Sequence, residues 1–79
     1  MLSIDAENFT YERSWEQIES MLEKAETKQT KWIMDFHNAR ANNDKETMKE
    51  CARNKKALEG VIKTLRWTLG DRKIQHPLN

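Results

Sequence analysis

Cys51, His37 and His76 are the residues of this 79-residue chain best suited to covalent or metal chemistry, and their placement argues against both. A cysteine nucleophile needs a base close enough to generate the thiolate. His37 is the one histidine that folding could bring near Cys51, across a turn. Cys51 itself falls on an apolar seam, where a free cysteine normally packs as a small hydrophobe. A zinc site needs ligands at short, regular spacings, and one cysteine with two distant histidines supplies none. Glu16 and Glu19 could pair as acid and base, but they fall on the charged flank of an amphipathic run. There is no glycine-rich phosphate loop. The chain therefore reads as non-enzymatic, with no cofactor and no metal expected.

Binding chemistry has more to offer. Lys45, Lys49, Arg53, Lys56, Lys63 and Arg66 make a basic flank, and Trp67 could stack on a base. The formal net charge is only +1, however, far from the strongly basic balance of a phosphate binder, so nucleic acid is disfavoured as a partner. A small anionic or nucleotide ligand is a separate reading. Tyr11, Trp15, Lys24 and Arg66 could enclose one between the subunits of a bundle.

Those side chains need elements to hold them, and the apolar spacing is helical. Tyr11, Trp15, Ile18, Leu22, Ala25, Gln29, Trp32, Phe36 and Ala39 follow each other by three or four residues, as on one face of a helix. This predicts a first helix over 10–41, with Thr10 as N-cap, or a Ser14–Gln17 capping box if it starts later. The pattern breaks at Ala41-Asn42-Asn43-Asp44, where Asn and Asp favour turns and caps. Asn43 with Glu46 offers a second capping box, and the second helix is expected over 44–70. Its seam is Met48, Cys51, Lys55, Leu58, Ile62, Leu65 and Leu69, closed by Gly70 as a C-terminal cap.

So short a connection requires the helices to run antiparallel. A turn near residue 43 places Phe36 by Cys51, Ala25 by Ile62 and Ile18 by Leu69. Residues 1–23 carry six acids and one base, whereas residues 44–73 carry nine bases and five acids. An antiparallel hairpin lays the acidic start of one helix beside the basic end of the other, and complements both helix dipoles. Residues 1–9 and 71–79 are read as an N-terminal arm and a C-terminal tail of this single domain. Leu2, Ile4, Phe9, Ile74 and Leu78 are their apolar residues.

Only 37% of residues are hydrophobic and 34% are charged, which supplies narrow seams rather than a thick core. Chains this short often need a staple or a partner, and one cysteine cannot form an intrachain disulfide. A second apolar face on helix two, Ala57, Gly60, Val61, Thr64, Trp67 and Thr68, is therefore expected to associate, joined by Met21, Ile33 and Met34 from helix one. Gly60 inside a helix costs about 1 kcal/mol relative to Ala, which a close approach by another backbone would offset. The fold class expected is all-α: a long antiparallel two-helix hairpin assembling into a homo-oligomeric helical bundle. Its partners are a second copy and another protein. No run nears the roughly 18 apolar residues of a membrane span, and the acidic N-terminal stretch is unlike a secretory signal, so a cytoplasmic location is expected.

The length, the long capped helices and the run Leu58-Glu59-Gly60-Val61-Ile62-Lys63-Thr64-Leu65-Arg66-Trp67-Thr68-Leu69-Gly70 resemble small phage-encoded accessory proteins. The resemblance spans residues 11–70. It implies action by stoichiometric binding: inhibition of a host or defence protein, or sequestration of a signalling nucleotide. It transfers no residue roles.

Overall fold

In the computed structural model, which describes residues 12–78, two α-helices pack against each other and no strand occurs among the described residues. Helix α1 is Trp15–Ala41 and helix α2 is Lys45–Thr68. The first helix begins later than the expected residue 10, because Glu12, Arg13 and Ser14 are not helical. Its cap is the Ser14–Gln17 box. The Gln17 N–H donates to Ser14 Oγ at 3.1 Å, and the Ser14 N–H donates to Gln17 Oε1 at 2.8 Å. Two orphan amides at the helix start are thereby satisfied reciprocally. Thr10, the other expected cap, lies outside the described residues.

The turn differs from the expected Asn43–Glu46 box for a backbone reason. Asn43 has φ of 57°, in the left-handed region, so it closes α1 rather than opening α2. The Asp44 N–H donates to Ala39 O at 2.9 Å and the Asn43 N–H to Arg40 O at 3.2 Å, the paired bonds of a Schellman ending. Asp44 then serves as N-cap of α2. Its Oδ1 accepts from the Thr47 N–H at 3.1 Å, and its Oδ2 accepts from the Thr47 hydroxyl at 2.6 Å. These bonds stabilise the carboxylate, so its pKa falls below the ordinary 3.8. One residue ends a helix and starts the next.

The same ending recurs after α2. Gly70 has φ of 87°, its N–H donates to Trp67 O, and the Asp71 N–H donates to Arg66 O. Helix α2 accordingly stops at Thr68, two residues short of the expected 70. Residues 71–78 continue as turns, with the Lys73 N–H donating to Asp71 Oδ1 and the Ile74 N–H to Asp71 O. The tail returns toward α2, where the His76 ring stands 6.3 Å from the Trp67 ring.

The seam between the helices is thin. Among the described residues, Ala25, Ala39, Cys51 and Ile62 are the buried apolar ones, and only Ile62 is larger than cysteine. Ile18, Leu22, Trp32, Phe36, Leu58 and Leu65 are half-buried. Small residues let the two backbones approach, which leaves the large seam residues straddling the edge of the contact. Phe36 and Cys51 border one hollow, as the expected register requires. Across the seam, Arg66 Nη2 meets Glu26 Oε2 at 2.7 Å, the one ion pair between the helices among the described residues. Glu26 lies beyond the acidic stretch 1–23, in a helix of nearly balanced charge, so this pair does not follow from the charge split.

Candidate functional site

The outer side of α2 is sorted by helical phase. At about 100° per residue, Glu59 and Arg66 fall on one flank of its C-terminal half. Ala57, Val61, Thr64 and Thr68 fall on the other, and all four are exposed. Gly60 stands half a turn from the buried Cys51, and Trp67 lies nearly in line with Gly60 two turns on. Over about 17 Å of helix the ridge from residue 57 to 68 therefore carries no charge.

Its hydroxyls do not make it polar. Thr64 Oγ1 donates to Gly60 O at 2.9 Å, and Thr68 Oγ1 donates to Thr64 O at 2.8 Å. Each threonine turns its hydroxyl back to the preceding helical turn, so its methyl is the group left for a neighbour. A Cβ placed on Gly60 would meet nothing within 4 Å. Among the described residues, no packing accounts for glycine there. Trp67 is 45% exposed at the edge of the ridge.

The other residues singled out in the sequence are dispersed. Ile33 is half-buried on the opposite flank of the hairpin, where it shares a hollow with Phe36, Cys51, Lys55 and Glu59. Val61 is two residues from Glu59 and so about 200° round α2 from it, which separates Ile33 from the ridge. Met34, 60% exposed, points from the back of α1. Sequence periodicity alone does not distinguish the two flanks, so these residues appeared to belong with the ridge.

The ligand set is not gathered within one chain either. Trp15 is 62% exposed, and Lys24, nine residues on, stands half a turn round α1 from it. Arg66 is engaged with Glu26. Tyr11 lies outside the described residues. Cys51 is 1% exposed, and burial, with Asp35, Glu50 and Asp44 nearby, pushes its thiol above the usual range. That is the opposite of an activated nucleophile. Among the described residues no three of His, Cys, Asp and Glu are grouped to hold a metal ion. No described helix is long and apolar enough to cross a membrane.

Lys45, Lys49, Lys56 and Lys63 form a row along the back of α2 that ends at Trp67. Arg66, counted with them in the sequence, stands apart on the flank facing Glu26. Comparison with protein-family models, curated proteins and solved structures finds no match to this chain.

Proposed function

We propose that this chain is a non-enzymatic helical interaction module, which self-associates and acts by stoichiometric binding of another protein. The observation that carries the reading is the uncharged, exposed ridge of α2, beside a seam that buries only four apolar side chains among the described residues. Fully burying one Val- or Met-sized side chain contributes about 1.5–3 kcal/mol, so a second copy on this ridge would supply stability the hairpin lacks. Small residues along the ridge leave room for a close helix approach, and Trp is enriched among the side chains that carry binding energy at interfaces.

Replacing Gly60 by Leu together with Trp67 by Ala tests the reading. Sedimentation should show dissociation of the assembly, while far-UV circular dichroism at high concentration retains most of the helix signal. Unchanged sedimentation would remove the ridge as the association surface.

A weaker nucleic-acid contact is the second reading, supported by the lysine row that leads to Trp67. Its signature is retention of RNA or DNA that falls steeply as salt rises. The net charge of +1 weighs against it.

A further inference from the structure

Charge divides between the two sides of the hairpin's open half, and one side is left with bases alone. On α1, counting about 100° per residue from the buried Ala25, Met21, Lys24, Lys28 and Lys31 lie to one side. Glu19, Glu23 and Glu26 lie to the other. On α2, counted in the same way from the buried Ile62, Val61, Leu65 and Thr68 lie to one side, and Glu59, Lys63 and Arg66 to the other. Two contacts show which sides adjoin. Arg66 meets Glu26 on the side of mixed charge, and Met21 shares an open hollow of about 310 Å³ with Gln17, Ile18 and Leu65 on the basic side.

The basic side is a groove between the helices. Ile18 and Leu65 are its half-buried floor, and Met21, 53% exposed, and Val61, 39% exposed, stand on its two banks. Lys24, Lys28 and Lys31 continue the α1 bank, exposed, and none is in an ion pair among the described residues. Glu23 touches the outer hollow of these lysines from its far edge, away from the groove. The α2 bank carries no charge.

An occupant has to be apolar toward the floor and α2, and acidic toward α1. Successive lysines of the row rise about 6 and 4.5 Å along α1, which is the rise between acids four and three residues apart on a neighbouring helix. A nucleic-acid strand would find cations on one bank only. A second copy presenting this same side brings no acid to it.

We propose that this groove receives an amphipathic helix of a partner protein, its apolar stripe on Met21, Val61 and Leu65 and its acidic flank along Lys24, Lys28 and Lys31. The inference rests on the reading of the chain as a protein-binding module and supplies the partner's chemistry. It does not use Gly60 or Trp67: Val61 stands about 100° round α2 from Gly60, so the groove and the self-associating pole can be tested apart.

The probe is a capped synthetic helix of about 18 residues, roughly 27 Å long, with Leu at alternating three- and four-residue spacing and Glu along one flank. A twin peptide carries Lys in place of Glu. Fluorescence anisotropy against the full chain should show the Glu helix bound about tenfold more tightly than its twin. Lys24→Glu with Lys28→Glu should reverse that order. Val61→Glu, which leaves every lysine in place, should weaken the Glu helix by about tenfold, with far-UV circular dichroism unchanged. Gly60→Leu with Trp67→Ala should keep the preference for the Glu helix, so unchanged sedimentation of that variant would remove the association reading and leave the groove standing. Equal binding of the two peptides, or none, would overturn the groove and leave the association reading standing. Altered sedimentation of the Lys24→Glu, Lys28→Glu variant would make the groove an interface between copies and overturn the proposal. Retention of a labelled RNA that this variant loses, without any preference for the Glu helix, would overturn it in favour of nucleic acid.

Discussion

Gly60→Ala separates the needs of the lone hairpin from those of an assembly, because the two predict effects of opposite sign. Gly60 lies inside α2 with no positive φ, and a methyl added there meets nothing within 4 Å. In a single chain the substitution should therefore stabilise by about 0.8–1 kcal/mol, through helix propensity and reduced freedom of the unfolded chain. For a domain of this size that raises the melting temperature by about 4–8 °C. At a close helix–helix contact the same methyl intrudes, and overpacking costs about 1–3 kcal/mol. Association should then weaken by roughly one to two decades, at about 1.4 kcal/mol per decade. The assay is thermal unfolding by circular dichroism across a hundredfold range of protein concentration, with sedimentation velocity alongside. The variant should melt higher than the wild type in dilute solution and lower in concentrated solution. A uniform upward shift with unchanged sedimentation would refute the reasoning, leaving Gly60 as an ordinary exposed glycine.

Asp44 makes stability depend on acid. Its folded pKa lies below the ordinary 3.8, so its contribution is fully present above the unfolded value and is lost as pH falls through the folded one. Compared with Asp44→Asn, the wild type should hold a constant advantage in urea midpoint above about pH 5, and lose it below about pH 4; an advantage that persists at low pH would exclude this origin. A double-mutant cycle over Glu26→Gln and Arg66→Met should return a coupling of about 0.5 kcal/mol, since both side chains are nearly half exposed. Zero coupling at low salt would mean that the helices do not meet in this register. Cys51 should react with iodoacetamide only as the fold opens, so its rate should rise with urea in step with loss of helix signal; rapid alkylation in buffer would contradict its burial.

The helices and their turn were legible because local chemistry specifies them. Ser14 and Gln17 announce a capping box, Gly70 an ending, and the Asn-Asn-Asp run a reversal. The role of Asn43 was not legible, because Asn serves equally as an N-cap and as a left-handed terminator. Only the adjoining Asp44, with Thr47 three residues on, decides between them. Phe36 and Cys51 could be aligned by counting from the turn. The burial of Cys51 was legible, but the partial exposure of Phe36 was not, since the close approach at Ala25, Ala39 and Cys51 leaves the larger Phe36 and Trp32 toward the edges. That Ile33 and Met34 lie away from the α2 ridge within one chain was not legible, because periodicity gives the angle round one helix, while the flank depends on how two helices face each other.

The proposed self-association rests on a seam that buries only four apolar side chains among the described residues, which would leave the lone hairpin marginal. Sedimentation equilibrium of the wild-type chain, with helix content followed at the same concentrations, tests this directly. The expected result is a mass that is a multiple of the single chain, with a melting temperature that falls as dilution dissociates it. A single-chain mass at every concentration, with full helix content and a cooperative melt independent of concentration, would contradict it.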